Sequence, residues 1–159
     1  MLSPSWRSHA ELQPAPELCP QGPATAHAGS SQRFERGVML WLRAPDLFIA
    51  VDDSGRYWIE RAPYTLRTPP PVAGEPPAGR LVPSGGFGAL WRGEIAITDP
   101  AMAQVSLREA LGWAVAPEQP YTTEVQCQQA SSPQEQRCYL RDSRGGVLWY
   151  GPAGAGRQP

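Results

Sequence analysis

The side chains with chemistry to offer are carboxylates and aromatics. Asp52 and Asp53 stand directly before Ser54-Gly55 and are followed by Tyr57 and Trp58. A ring that stacks on a sugar face, beside carboxylates that accept the sugar's hydroxyl protons, is the chemistry of a glycan site. Trp41 is a further ring that could turn toward a partner. Adjacent strand residues face opposite sides, so Tyr57 and Trp58 cannot share one surface. The competing role for all of these rings is core packing, where large aromatics dominate in small β domains, and it is favoured for Trp41, Trp91 and Trp113.

Glycosidase-type hydrolysis needs two carboxylates facing each other across a cleft. Glu35 or Asp53 with Glu118 would have to serve, and no spacing brings them together. Asp52, Asp53 and Ser54 supply too few oxygens for calcium on their own. His9 and His27 both lie in a Pro/Ala-rich opening segment, so no Ser-His-Asp or Cys-His set forms, and no Cys/His pair has metal-ligand spacing. "SGGFG" at 84–88 lacks the Gly-Lys-Ser/Thr ending of a phosphate loop and reads as a tight turn. No catalytic residue, metal or cofactor is therefore assigned.

Of the three cysteines, Cys127 and Cys138 flank "QQASSPQEQR". If that segment is a hairpin turning at Ser132-Pro133, the two sit opposite each other, close enough for a disulfide. A bridge there would add about 2–3 kcal/mol by restricting the unfolded chain. The other outcome is a pair of free, half-buried thiols.

These residues need elements to position them. Residues 1–30 are rich in Pro, Ala and Ser without a sustained apolar period, which predicts a leader or linker with no visible signal-peptide core. A single β-rich domain is expected over 31–151. "GVMLWLR", "LFIAV" and "RYWIE" predict a three-stranded meander, with Glu35-Arg36-Gly37 as a turn or bulge and "DDSG" as a turn. Residues 65–86 are proline-rich and must cross the surface in extended form. The clearest helix signal runs over about 100–111, with Asp99 as N-cap, Pro100 in the first turn and Gly112 past the end. "TTEVQCQQ", "QRCYLRD" and "VLWYG" predict a second β unit over 121–150, and 152–159 a frayed tail.

"FIAVDDSGRYW" and "YLRDSRGGVLW" share a strand, an Asp-Ser turn with Gly and a closing Trp, at Trp58 and Trp149. The fold class is thus mainly β: two small antiparallel meanders, a degenerate repeat, joined by a Pro-rich crossing and one short helix.

Three pieces carry a family likeness: Gln32, Phe34, Gly37, Met39 and Trp41; then Gly86, Phe87, Gly88 and Trp91; then Leu111, Gly112, Trp113, Ala114 and Glu118. Over about residues 32–150 this pattern resembles a secreted and surface module of Chloroflexi-type bacteria. More distantly it is similar to LGFP cell-envelope repeats, although "LGWA" replaces their signature proline. The resemblance implies extracellular or cell-surface placement, non-catalytic use, and a cell-envelope glycan or another surface protein as partner.

The net charge of −1, with every cation an Arg, offers no basic stripe for nucleic acid, and no apolar run is long enough to span a membrane as a helix. The expected function is a non-catalytic binding or accessory module, with a small glycosidase-type hydrolase and a structural spacer as alternatives.

Overall fold

The apolar run Val38–Leu42 is continuous because its strand is covered on both faces. The computed structural model describes residues 22–69, 71, 74–128, 130–152 and 154–157. Eight strands form one antiparallel sheet: β1 (Thr25–Phe34), β2 (Gly37–Leu42), β3 (Leu47–Asp52), β4 (Tyr57–Arg61), β5 (Gln119–Cys127), β6 (Cys138–Arg141), β7 (Val147–Gly151) and β8 (Gly154–Arg157). Their order is β4-β3-β2-β1-β5-β6-β7-β8, and the two end strands, β4 and β8, lie against each other. The sheet is a nearly closed barrel. The two expected three-stranded meanders are present as β2–β4 and β5–β7, each with an added strand, β1 before the first and β8 after the second, and the β1–β5 pairing from Thr25↔Val125 to Ser31↔Gln119 fuses them into one sheet.

Alternation along the strands builds two cores. Val38, Leu40 and Leu42 of β2 and Leu47, Ile49 and Val51 of β3 point into the barrel, where they meet Val125, Leu140, Leu148 and Tyr150. Met39, Phe48, Ala50 and Trp58 point outward into a second core. That outer core is sealed by two short helices, α1 (Gly85–Arg92) and α2 (Leu107–Leu111), through Phe87, Leu90, Trp91, Leu107 and Leu111. Each fully buried aliphatic or Phe side chain contributes about 1.5–3 kcal/mol, so burial on both faces makes β2 and β3 the anchor of the fold.

Several expectations are corrected. Residues 25–30, read as leader, form the start of β1; residues 1–21 lie outside the described residues. In the segment read as a frayed tail, Gly154–Arg157 pairs with β7 as β8. The helix expected over 100–111 covers only Leu107–Leu111. Asp99 does accept the Ala101 N–H, but the chain from there to Val105 forms turns. The true start is Ser106, whose hydroxyl accepts the Glu109 N–H three residues on, in the Ser-x-x-Glu order of a capping box. "SGGFG", read as a tight turn, is instead the start of α1. Its glycines hid it, since glycine is a weak helix former. Gly86 is required because a Cβ there would press into the Phe48 ring, 2.6 Å from Cζ.

The Pro-rich crossing runs over the surface, as expected, and is tied down at intervals. Arg67 N–H donates to Glu94 O and Leu81 N–H to Ala114 O. Next to it, the buried Glu60 carboxylate of β4 accepts the Thr98 N–H (2.6 Å) and hydroxyl (2.9 Å). Burial pushes that carboxyl above its usual range, against the pull of the two Thr98 bonds. Among the described residues, no helix is long and apolar enough to cross a membrane.

Among the described residues, β5 and β6 pair at Gln126↔Tyr139 and Cys127↔Cys138, and the second pair is a disulfide. Beyond it, Gln128 N–H donates to Arg137 O, and a 3-10 turn at Pro133–Glu135 closes the loop at the expected Ser-Pro position. Closing so short a loop is worth about 3 kcal/mol in the chain-entropy picture. A Cys127→Ser/Cys138→Ser double variant is expected to lose about that much stability in urea unfolding. An unchanged midpoint would show that the bridge contributes nothing to the fold.

Candidate functional site

The β1–β2 turn, Glu35-Arg36, docks on the C-terminal end of α2. A helix end leaves carbonyls without partners, and this turn supplies them. Arg36 N–H donates to Leu111 O (3.0 Å), Arg36 Nε to Ala110 O (3.1 Å) and Arg36 Nη2 to Glu109 O (2.5 Å). Glu35 N–H donates to Trp113 O (3.0 Å). In return, Glu35 Oε2 accepts the Trp113 N–H (3.2 Å) and Oε1 accepts Arg80 Nε (2.7 Å) from the Pro-rich crossing. The hydrogen bond from Arg80 and that from the Trp113 N–H hold the Glu35 carboxyl below its usual range.

Gly112 makes this contact possible. Its φ of 75° with ψ of −153° is a backbone state reserved for glycine, and a Cβ there would strike Glu35 Oε2. The turn it creates carries Trp113 over Trp91, with ring centroids 5.2 Å apart. Trp91 is buried and donates its indole N–H to Gly112 O (2.7 Å), while Trp113 is half-buried. The Arg108 guanidinium lies over both rings, at 5.4 Å and 5.5 Å. Such placement favours a cation electrostatically. Around this stack opens a cleft of about 550 Å³, walled by Arg36, Arg92, Arg108, Glu35, Glu109 and Trp113. That volume is in the range of small-ligand sites. The cleft can offer a half-buried aromatic wall beside planar, charged hydrogen-bonding groups.

A second cavity of about 520 Å³ opens at the far end of the barrel, where Pro23, Thr25, His27, Pro45, Val125 and Tyr150 meet. Its lining is mostly apolar, and no carboxylate or guanidinium is among the described residues that form it.

The residues singled out in the sequence are placed as follows. Trp58 is 1% exposed and belongs to the outer core, so it presents no stacking face. Tyr57 points the other way, as the alternation requires, and packs against the barrel core with its ring 6.2 Å from that of Trp149. Asp52 is buried and organises the β3–β4 turn: Oδ1 accepts from Ser54 N, Ser54 Oγ and Arg56 N, and Oδ2 from Arg56 Nε. Burial pushes its carboxyl up, but the Ser54 and Arg56 bonds bring it below the usual range. Asp53 is exposed and pairs with Arg144 (2.7 Å). Trp41 faces the outer core and donates its indole N–H to Asp46 Oδ1 (2.8 Å), which also accepts the Tyr64 hydroxyl (2.7 Å). The glycan platform expected around Tyr57, Trp58, Asp52 and Asp53 is therefore not assembled. Glu35 is engaged as above, and Glu118 is exposed just before β5, so the carboxylates named for hydrolysis are not drawn into one cleft. Among the described residues, no group of three His, Cys, Asp or Glu is placed to hold a metal.

Sequence reasoning assigned Trp91 and Trp113 to the core and did not single out Arg108. The signal that could have found the cleft is the capping box itself. A helix starting at Ser106 ends at Leu111, leaving Gly112 to turn Trp113 back toward Arg108. Comparison of the chain with protein-family models, curated proteins and solved structures gives no match.

Glu35 also gives a pH signature. A carboxyl held low in the folded state adds stability that is fully present above its unfolded value, near 4.5, and fades as pH falls through the lower folded value. Glu35→Gln is expected to be less stable than wild type at pH 7, with the gap closing as the pH falls below the unfolded value and through the lower folded one. Thermal melts of both proteins across pH 2.5–7 check this. A gap independent of pH would remove the charged clamp from the account.

Proposed function

We propose that this chain is a non-catalytic binding module of the cell surface or extracellular space, and that its ligand is a glycan seated in the Trp113 cleft. The observation that carries the reading is the half-buried Trp113 standing in a polar cleft beside Arg36, Arg92, Arg108 and Glu109. Sugars offer an apolar C–H face and a rim of hydroxyls, and a ring flanked by planar charged groups complements both. The wall is rigid: the α2 end is clamped by Arg36, and Trp91 is fixed to Gly112. A preformed site saves the ordering cost of binding.

Two further features support placement outside the cytoplasm. A Cys127–Cys138 disulfide is at home in an oxidising compartment. The likeness of the Gln32–Trp41 and Leu111–Glu118 segments to surface modules points the same way. A non-catalytic role fits the use of the carboxylates, since Glu35, Asp46 and Asp52 are each occupied in holding backbone or ring groups.

The test is a glycan array with the full chain, followed by calorimetry on any hit. Trp113→Ala is expected to weaken binding at least tenfold while keeping the wild-type circular dichroism, and Trp113→Phe to retain most of it. An array without hits, or a Trp113→Ala protein that binds as wild type does, overturns the proposal.

A further inference from the structure

We propose a second binding site, independent of the Trp113 cleft: the cavity at the far end of the barrel takes a small molecule with an alkyl chain and a carboxylate head, a medium-chain fatty acid. The walls supply the apolar part. Pro23, Pro45, Val125 and Tyr150 line about 520 Å³, a volume in the range of small-ligand sites, and barrel mouths are a favoured place for them. The walls are also fixed in place. His27 Nδ1 donates to Ala44 O and Arg43 N–H to Ala28 O, which ties β1 to the β2–β3 connection. The disulfide at Cys127 pins β5 to β6 on the other side. A preformed cavity saves the ordering cost of binding.

Tyr150 is the observation that points to a ligand. The residue is 6% exposed and lines the cavity, yet among the described residues no hydrogen bond ends on its hydroxyl. Tyr139 and Tyr64 show the usual solution: their hydroxyls donate to Gln128 Oε1 (3.2 Å) and to Asp46 Oδ1 (2.7 Å). A hydroxyl left without a protein partner in an apolar setting costs free energy, which an acceptor on a ligand recovers. Burial pushes the Tyr150 hydroxyl above its usual range, against the pull of Arg61, so it stands as a donor at neutral pH. The Arg61 guanidinium lies 5.6 Å from the centre of the same ring, and its described contacts include no carboxylate. Asp46, next to Pro45 of the wall, is taken up by the Trp41 and Tyr64 donors. A hydroxyl donor and a cation at an apolar cavity complement a carboxylate on an apolar chain, because hydrogen bonds to an ionised acceptor are the stronger ones.

The test is calorimetry on the full-length, disulfide-intact chain at pH 7 with butanoate, octanoate and 1-octanol. Octanoate is expected to bind at least about tenfold more tightly than butanoate, from the extra buried CH₂ groups. It is also expected to bind at least about fivefold more tightly than 1-octanol, which lacks the charge. Tyr150→Phe is expected to weaken octanoate by about fivefold or more and to leave the urea midpoint unchanged, because the hydroxyl holds nothing within the fold. Thr25→Trp, which puts bulk into the cavity from an exposed position on β1, is expected to abolish binding. Absence of octanoate binding overturns the proposal, and so does equal binding of butanoate or of 1-octanol. Octanoate binding that survives both substitutions places the ligand elsewhere and overturns it as well. The wild-type series needs no variant, so a misfolded substitution would not protect the inference. None of these outcomes bears on the glycan reading, which stands or falls at the Trp113 cleft.

Discussion

β2 and β3 have no solvent face, and most of the architecture answers that constraint. A strand that is apolar on both of its faces must be covered twice. On one side the sheet curls until β4 and β8 meet, placing Val38, Leu40, Leu42, Leu47, Ile49 and Val51 inside a barrel. On the other, Met39, Phe48, Ala50 and Trp58 require a lid, which α1, α2 and the connections around them supply. Two short helices give a lid little intrinsic stability, because a helix of one or two turns is marginal alone. They persist through packing and through ends fastened to the sheet. The Glu35-Arg36 clamp is one such fastening, and it is also what shapes the candidate site.

Carboxylates serve throughout as local organisers. Asp52 and Asp142 build turns with the same pattern. In each, the Asp N–H donates to the carbonyl four residues on, and Oδ1 accepts the N–H groups two and four residues on. The two turns meet through Arg144 and Asp53. Asp46 gathers the Trp41 and Tyr64 donors at the β2–β3 connection, and those bonds hold its carboxyl low. Hydrogen bonds to charged groups are worth about 1.5–3 kcal/mol each, so such sites fix connections that apolar burial alone leaves loose.

What could be read in advance followed from signals that act over a few residues. The strands at Val38–Leu42 and Leu47–Val51 are apolar throughout, with β-branched and aromatic members, "DDSG" holds its own turn chemistry, and Cys127 faces Cys138 because the Ser-Pro turn sets the register. What could not be read depended on distant partners. Ala28-Gly29-Ser30-Ser31 has little preference for a strand, and becomes one because β2 and β5 hold it from either side. Gly85, Gly86 and Gly88 argue locally against a helix, yet α1 forms because Phe87, Leu90 and Trp91 bury into the outer core, with Gly86 letting the helix close on the Phe48 ring. The cleft was illegible for the same reason. Its walls come from residues about seventy positions apart, and Glu35 reads as an acid until Arg80 and Trp113 are seen on either side of it.

The meeting of β4 and β8 has a mechanical consequence. These strands are the two ends of the sheet order, and among the described residues they meet by contact and not by a ladder of backbone bonds. Elsewhere around the circumference, parting two strands means breaking a row of hydrogen bonds together. At this seam it means separating two strands that touch without a described backbone pairing. The barrel is therefore a clasp with a defined opening edge. On physical grounds the lowest-cost opening, and the first amide exchange, fall on the β4–β8 side, while the long β1–β5 pairing on the other side of the sheet order holds the two halves together.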